Sequence, residues 1–332
     1  MSASALRHLR PRHPLDPVAA RSTVDRVRFG WDTARVAVES DRWSRWHRER
    51  RSAGDTSAGE QTRRHLNGVR DDLLQRAEPL DGATLLDLGA GDGLIGLGAL
   101  DRVGPEGTVI FCDISEALLE QCREAVRSRG SLKAARFVMS RAEVLAGIAD
   151  ASVDIVAARA VLLFVADKRA AFSAMYRVLR PGGRISLREP LGQLMYPEPE
   201  DRLWGYDVSR VIDLAAKVKA AFAALEDPSF RAAMMDFDDR DLARLAESAG
   251  FDRVHVECHI DMEPGALIPA ASAQALLQLA PTPTAPTLGE AVEASLTQSE
   301  RQRFLIALDR AIGEGKPIRR TASVYVLAGK GP

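Results

Sequence analysis

The sequence lacks several features that would each indicate a definite class of protein. Only three cysteines occur in 332 residues and no two form a CxxC pair, which argues against a zinc ribbon or a redox dithiol. The formal net charge of −1 gives no reason to expect a nucleic-acid partner. No apolar run approaches the roughly 18 residues that cross a bilayer. We therefore expect a cytoplasmic protein with no membrane span, whose Cys112, Cys122 and Cys258 are reduced and buried.

Metal-ligand spacing is also missing. The chain has six histidines, and no two of them have the HExxH spacing of a zinc site. His255 and His259 have the same parity on one predicted strand, so we expect them to decorate an exposed face. The sequence therefore predicts no metal site.

The chain divides into regions that differ in amino-acid composition and hydrophobic periodicity. Residues 1–20 contain three prolines among arginines and predict a flexible tail, while residues 21–80 predict an N-terminal helical segment. Residues 81–332 predict one ligand-binding domain, with helical cap insertions at about 191–235 and 262–315. No internal repeat is present, and the sequence says nothing about the oligomeric state.

Short apolar strands alternate with amphipathic helices from residue 83 onward, which indicates an α/β fold with a parallel sheet. The predicted strands are 84–88, 108–113, 135–139, 153–157, 183–188, 254–260 and 321–328. The predicted helices include 92–102, 115–129, 141–147, 167–180, 208–225, 238–249 and 298–313.

The most informative motif is LLDLGAGDG at residues 85–93, in which an apolar strand leads into a glycine-rich turn. Gly89, Gly91 and Gly93 let the backbone turn tightly and approach a ligand where a Cβ would clash. The helix that follows would offer free N–H groups at its N-terminus. The turn therefore predicts a ligand site.

Two ligand classes can use such a turn. Residues 91–96 (GDGLIG) match the dinucleotide pattern GxGxxG, and Asp113 follows at a suitable distance to bind ribose hydroxyls. Asp87 and Asp92, however, would repel a pyrophosphate, whereas they would attract the α-ammonium of a methionine moiety. The acids thus favour S-adenosyl-L-methionine (SAM) over a dinucleotide.

Residues 83–190 resemble the core of the class I SAM-dependent methyltransferases, in particular the subgroup with ubiquinone/menaquinone-biosynthesis and arsenite methyltransferases. The matching segments are LLDLGAGDG at 85–93, FCDIS at 111–115, SRAE at 140–143, ASVDIV at 151–156 and LRPGGRISL at 179–187. The resemblance implies a Rossmann-like, doubly wound sheet of seven strands, the last antiparallel, to which this chain adds N-terminal and cap helices.

The resemblance also implies SAM as the cofactor, with S-adenosyl-L-homocysteine as its product. Ile114 would cover one face of the adenine. The residues that we expect at the cofactor are Asp87, Gly89, Ala90, Gly91, Gly93, Asp113, Ile114, Arg141, Ala142 and Arg159.

One residue departs from the family pattern. An acid often follows the third strand in this family and accepts a hydrogen bond from the adenine amino group, but this chain has Arg141 there. Arginine only donates, so that contact must be absent or made by the backbone. Arg141 would stack on the adenine or pair with a nearby acid.

Candidates for the chemistry are His47 as a general base and Glu189 just past the fifth strand. Each also has a structural interpretation, as part of a packed helix face or a salt bridge. We expect an acceptor pocket that is lined by aromatic residues from the segments outside the core, namely Trp43, Trp46, Tyr196, Trp204 and Tyr206. Arsenite is not favoured as the acceptor, because the arsenite enzymes use several cysteines as ligands and the three cysteines here do not converge.

The sequence thus predicts transfer of a methyl group from SAM to a small, apolar or aromatic acceptor by in-line displacement. Two alternatives stay open: an NAD(P)-dependent oxidoreductase that uses the glycine-rich turn, and a SAM-binding protein without methyl-transfer activity. No tyrosine has a lysine four residues later, so the Tyr-x-x-x-Lys pair of many such oxidoreductases is absent.

Overall fold

A computed structural model describes residues 42–51 and 56–332, with side chains for 42–51 and 62–332. The predicted tail at 1–20 and residues 21–41 of the predicted helical segment lie outside the described residues. Within that segment, residues 46–50 form a short π-helical turn and a long helix begins at Thr56.

A central sheet of seven strands organises the described part of the chain, and a two-stranded ribbon lies apart from it. The strands in chain order are β1 (Thr84–Leu88), β2 (Thr108–Asp113), β3 (Ala135–Met139), β4 (Val153–Arg159), β5 (Leu179–Pro190), β6 (Arg202–Leu203), β7 (Tyr206–Asp207), β8 (Arg253–Pro264) and β9 (Ile318–Gly329).

The sheet has the order β3-β2-β1-β4-β5-β9-β8. Strands β1 to β5 pair in parallel, and β9 pairs antiparallel with both β5 and β8. Strands β1, β2 and β4 are buried on both faces, which explains their continuous apolar runs. The predicted Rossmann-like sheet of seven strands, with its last strand antiparallel, is confirmed.

Helices cover both faces of the sheet and form the cap. In chain order they are α1 (Thr56–Arg76), α2 (Leu94–Leu100), α3 (Glu116–Ser128), α4 (Lys168–Val178), α5 (Gly192–Met195), α6 (Ile212–Leu225), α7 (Pro228–Met235), α8 (Asp239–Ala249), α9 (Ala273–Leu276), α10 (Leu288–Ser295) and α11 (Gln298–Gly313).

Capping residues that are recognisable in the sequence set the ends of several helices. Asp238 caps α8 through a reciprocal capping box with Asp241, and Gly250 ends that helix in the left-handed region. Thr297 and Glu300 form the same reciprocal box at the start of α11. These side chains satisfy amide groups that the first turn of a helix leaves without partners.

The core has three parts. One part lies between the sheet and α4 and α8, and a second lies between the sheet and α1, α2 and α3. The third, which we call the cap core, joins residues of 203–218 to residues of 266–311. The two predicted insertions therefore share hydrophobic packing with each other.

The predicted helix at 141–147 is wrong, because these residues form turns. Leu145 and Gly147 have positive φ angles of 48° and 80°. The hydroxyl of Ser140 accepts a hydrogen bond from the amide of Ala146 at 2.8 Å, which stabilises the turn. A short polar side chain can compete in this way with helical hydrogen bonding.

Candidate active site

A pocket of about 460 Å³ opens over the carboxyl ends of β1, β2 and β4. Strands β1 and β4 are neighbours in the sheet, although β2 and β3 follow β1 in the chain, so the strand order reverses between them. Open α/β sheets bind ligands at such a switch point. The volume is within the range of pockets that hold small molecules.

The glycine-rich turn forms one wall of the pocket and depends on its glycines. Gly89 has φ +68°, and a Cβ there would lie 2.4 Å from a methyl carbon of Val161. Gly91 has φ +55°, and a Cβ there would lie 3.4 Å from the ring of His47. Any side chain at these positions would strain the backbone and narrow the pocket.

Two buried carboxylates hold this turn. Asp113 at the end of β2 accepts hydrogen bonds from the amides of Gly91 and Ser115, each at 2.9 Å. Asp87 accepts one from the amide of Gly96 at 2.7 Å. Burial raises the pKa of Asp113 and raises that of Asp87 to about 7. A carboxylate has about four acceptor positions, so Asp113 keeps some for a ligand.

Residues 42–51, which we call the covering segment, lie against the glycine-rich turn. Arg51 donates to Asp92 at 3.1 Å and to Nδ1 of His47 at 3.2 Å. The indole Nε1 of Trp46 donates to the carbonyl oxygen of Ala280 at 2.8 Å. The covering segment thus contacts both the turn and the cap insertion at 262–315.

His47 lines the pocket, but its hydrogen bonding does not suit a general base. Arg51 can only donate, so Nδ1 of His47 is the acceptor and the neutral ring carries its proton on Nε2. Burial and the nearby Arg51 lower the pKa of His47 to about 4. The ring in this tautomer presents an N–H donor beside Gly91, which does not favour the predicted role of His47 as a general base.

Glu189 is also placed differently from the prediction. Its side chain is fully buried and is not among the pocket-lining residues. It accepts hydrogen bonds from the amides of Val161 at 3.0 Å and Leu163 at 3.4 Å. Glu189 therefore positions the loop after β4 and lies outside the pocket lining, unlike its predicted place as a catalytic residue.

Aromatic side chains form another wall of the pocket. Trp43 packs edge to face on Phe164, with ring centroids 4.7 Å apart, and Phe164 lies 6.4 Å from Phe230. Trp46 and Tyr196 line the pocket as well. Phe164 and Phe230 were missed in the sequence, although the position of Phe164 just after the fourth strand could have identified it.

Trp204 and Tyr206 lie elsewhere, contrary to the prediction. Both are buried in the cap core, with 4% and 3% of their surface exposed. Trp204 packs against Phe222 at a centroid distance of 5.8 Å, and the hydroxyl of Tyr206 donates to the carbonyl oxygen of Ile268 at 3.2 Å. They stabilise the cap and do not face the pocket.

The remaining predicted cofactor residues line the pocket together. Ala90, Ile114, Arg141, Ala142 and Arg159 all contribute to its surface, but Gly93 is not among the lining residues. The guanidinium of Arg141 pairs with Glu143 at 3.1 Å, which was one of its two predicted roles. Gly93 begins α2 in the left-handed region and so shapes the turn from behind.

The cysteines do not converge, as expected. Cys112 and Cys122 are buried, and burial raises the pKa of Cys112 to about 12. Cys258 on β8 is exposed, so the expectation that all three are buried is wrong for this residue. His255 and His259 lie on the same strand with exposed side chains, as predicted.

Among the described residues, no group of three or more His, Cys, Asp or Glu side chains could hold a metal ion. In the same part of the chain, no helix is long and apolar enough to cross a membrane.

Known proteins resemble this chain in sequence. The family described as "Methyltransferase domain" matches residues 86–187. An arsenite methyltransferase of Halobacterium salinarum is 34% identical over 180 residues, which are 51% of this chain and 45% of that protein. The ubiquinone/menaquinone biosynthesis C-methyltransferase UbiE of Klebsiella pneumoniae is 32% identical over 175 residues, 52% of this chain and 68% of that protein.

A solved structure, that of the YcgJ protein of Bacillus subtilis, is 18% identical with a TM-score of 0.48. The match covers 81% of this chain and 99% of the YcgJ chain.

The chain belongs to the SAM-dependent methyltransferase family. It is thus an enzyme of the methyltransferase class, and its cofactor is SAM, with S-adenosyl-L-homocysteine as the product form. The NAD(P)-dependent alternative is therefore wrong. The chain spans less than half the length of the arsenite methyltransferase that it matches.

The pocket fits SAM on its own geometry. Asp113 retains acceptor positions at the carboxyl end of β2, where a ribose would lie. The left-handed Gly91 leaves room that a Cβ would fill, between the turn and His47.

Proposed function

We propose that the chain transfers the methyl group of SAM to a small acceptor with an apolar or aromatic body, by in-line displacement. One observation carries this proposal. A single pocket joins the glycine-rich turn and Asp113 to the aromatic wall that includes Trp43 and Phe164. Donor and acceptor could therefore lie side by side, away from bulk water.

The turn and the strand ends would hold the cofactor. We propose that Asp113 binds the ribose hydroxyls, and that Ile114 and Ala142 contact the adenine. Asp87, Gly89, Ala90 and Gly91 would contact the methionine end, where the Nε2–H of His47 adds a donor. Gly93 would act by shaping the turn.

The acceptor side would rely on position more than on proton transfer. SAM supplies a methyl group that is already activated by its sulfonium. The chain's own residues would exclude water and align the acceptor, and alignment of two reactants can supply much of an enzyme's acceleration. Trp43, Trp46, Tyr196 and Phe164 would hold the acceptor body.

The relatives do not select one acceptor, because one is named for arsenite and another for C-methylation in quinone biosynthesis. Arsenite does not fit this pocket. The three cysteines of the chain lie apart, two of them buried and the third exposed on β8. An apolar or aromatic organic acceptor fits the aromatic wall better.

The test is a transfer assay with SAM that carries a trideuterated methyl group. Phenols, naphthols and hydroxylated acids would be incubated with the enzyme, and products would be identified by mass spectrometry. We expect labelled product from at least one aromatic compound and none from a matched aliphatic alcohol. Binding of S-adenosylhomocysteine without transfer to any compound would favour the alternative, a SAM-binding protein without methyl-transfer activity.

The predicted domain organisation is part of the same proposal. Residues 81–332 would act as one SAM-binding unit, in which the insertions at about 191–235 and 262–315 form the cap. Leu267, Ile268 and Pro281 from the second insertion line the pocket, which supports a role in acceptor selection.

A further inference from the structure

Arg159, at the end of β4, presents an unusual charged group to the pocket. Its side chain lines the pocket, yet it forms no hydrogen bond or ion pair with any residue that the structure describes. Burial, together with the nearby Arg51 and Arg188, lowers the pKa of Arg159 to about 10. The guanidinium is still charged at neutral pH, and a half-buried charge without a partner is costly.

The nearby carboxylates, Asp92 and Glu189, attract Arg159 through space but neither forms an ion pair with it in the part of the chain that the structure describes. Asp92 forms an ion pair with Arg51 at 3.1 Å. Glu189 accepts hydrogen bonds from the loop after β4. This corner of the pocket therefore keeps an excess of positive charge.

A second guanidinium adds to this excess. Arg188 on β5 is the register partner of Arg159, so the two residues lie side by side in the sheet. The Nε atom of Arg188 is buried without a hydrogen-bond partner. Arg188 does not line the pocket and its guanidinium packs on Tyr325, so it adds positive charge beside Arg159 while Arg159 alone offers donors to a ligand. This charge favours a ligand that carries negative charge.

We propose that Arg159 binds an anionic group, a carboxylate or a phosphate, on the methyl acceptor. This inference rests on the proposed function, and it narrows the acceptor to an acid with an apolar or aromatic body. Carboxylates and phosphates match the planar donor fork of a guanidinium, and the aromatic wall would hold the rest of the molecule.

SAM also carries a carboxylate, which competes with the acceptor as the anion that Arg159 binds. We place the methionine end over the glycine-rich turn, where the Nε2–H of His47 lies beside Gly91. That donor can serve the methionine carboxylate. Arg159 projects from the neighbouring strand, five residues before Phe164 in the aromatic wall, and is left for the acceptor.

The experiment compares wild-type protein with Arg159→Met, which keeps an unbranched apolar stem and removes the charged guanidinium. The matched control is Arg102→Met, which removes an arginine that pairs with Asp71 at the far end of α2. The proteins, loaded with S-adenosylhomocysteine, would be titrated with acid–amide pairs: benzoate and benzamide, 4-hydroxyphenylacetate and its amide, and 1-naphthoate and its amide.

We expect wild-type protein and Arg102→Met to bind at least one acid about tenfold or more tightly than its amide, and Arg159→Met to lose that preference. Ligand-free Arg159→Met should melt at the wild-type temperature or above, because an unpaired half-buried charge is removed. A lower melting temperature would show that the guanidinium holds the fold, and would overturn the proposal.

Two further results would overturn it. One is the absence of any acid preference in wild-type protein, or a preference that survives in Arg159→Met. The other is that Arg159→Met loses affinity for S-adenosylhomocysteine but not for 5′-deoxy-5′-methylthioadenosine, which lacks the carboxylate. The anion that Arg159 binds would then be the carboxylate of the cofactor. Failure of wild-type protein to bind S-adenosylhomocysteine at all would instead contradict the proposed function.

Discussion

A single buried carboxylate, that of Glu189, fixes the loop that closes one side of the pocket. It accepts hydrogen bonds from the amides of Val161 and Leu163, and Val161 packs where a Cβ on Gly89 would lie. Phe164 of the aromatic wall directly follows this loop segment. Glu189 therefore couples the end of β5 to both the glycine-rich turn and the aromatic wall.

We predict that Glu189→Ala lowers the free energy of unfolding by about 1–3 kcal/mol, because buried amides lose their acceptor. Denaturant unfolding would measure this loss. Glu124→Ala, which removes an exposed carboxylate from α3, serves as the control and should change the stability by less than about 0.5 kcal/mol. Equal stability of Glu189→Ala and wild type would contradict the positioning role.

The same carboxyl predicts a dependence on pH. Burial raises the pKa of Glu189 from 4.5 to about 7, so the folded state holds this proton more tightly than the unfolded state does. The resulting stabilisation is fully present below pH 4.5 and is lost as the pH rises to about 7. Its size is on the order of 3 kcal/mol.

Glu189→Gln cannot lose a proton and should lack this dependence. We expect the stability of wild type relative to Glu189→Gln to fall between pH 4.5 and about 7, and to stay constant above that range. Unfolding curves over this range would measure the difference. Parallel profiles of the two proteins would show that Glu189 titrates normally.

At the scale of single residues, the sequence predicted the positions at which the backbone conformation restricts the residue type. Gly89 and Gly91 adopt left-handed conformations, and Asp113 ends its strand beside the turn. The role of His47 could not be predicted in this way. Its tautomer depends on a hydrogen bond from Arg51, and that contact requires the fold of the covering segment.

The covering segment makes contacts that could not be predicted from the sequence. Arg51 pairs with Asp92 in the turn, and Trp46 donates to Ala280 in the cap. The carbonyl oxygen of Arg50 also accepts from the amide of Ala280 at 3.1 Å. These contacts join three parts of the chain that are far apart in sequence and surround one pocket.

We predict that Arg51→Ala speeds the release of S-adenosylhomocysteine by up to about fivefold, because a partly exposed ion pair contributes roughly 0.2–1 kcal/mol. Stopped-flow tryptophan fluorescence would measure the rate. High salt should bring the wild-type rate closer to that of the variant. Arg48→Ala, an exposed residue of the same segment, is the control, and equal rates in both variants would contradict the role of the Arg51–Asp92 pair.

The cap gives a second prediction at this scale. Trp204 is buried in the cap core, so Trp204→Ala should lower the free energy of unfolding by about 3–5 kcal/mol. Leu225→Ala removes an exposed side chain of α6 and should have little effect. A change in acceptor KM at unchanged stability would contradict this reading.

The elements themselves were largely predictable, and the errors have physical reasons. Strands β1, β2 and β4 follow continuous apolar runs, as expected for a parallel sheet that is buried on both faces. The false helix at 141–147 arose because the turn is stabilised by the side chain of Ser140, which leaves no periodic signal. The aromatic residues of the cap were recognised, but whether each faces the pocket or the cap core depends on tertiary packing.

On the scale of the whole molecule, the fold brings the proposed cofactor site and the proposed acceptor site together at one edge of the sheet. The reversal of strand order between β1 and β4 creates the crevice. The covering segment and the cap insertion at 262–315 then enclose it, with Trp43 and Ile268 on its lining. The core motifs predicted the first site, while the enclosing segments carry no shared motif and could be placed only by the structure.

The most direct test of the central claim is calorimetric titration of the folded protein with S-adenosylhomocysteine. We predict that wild-type protein binds one equivalent, and that Asp113→Ala weakens binding by about a hundredfold, because charge-assisted hydrogen bonds to the ribose are lost. Asp101→Ala, an exposed acid at the end of α2, should bind like wild type. Absence of binding to wild-type protein, or equal affinity of folded Asp113→Ala, would contradict the assignment of this pocket to SAM.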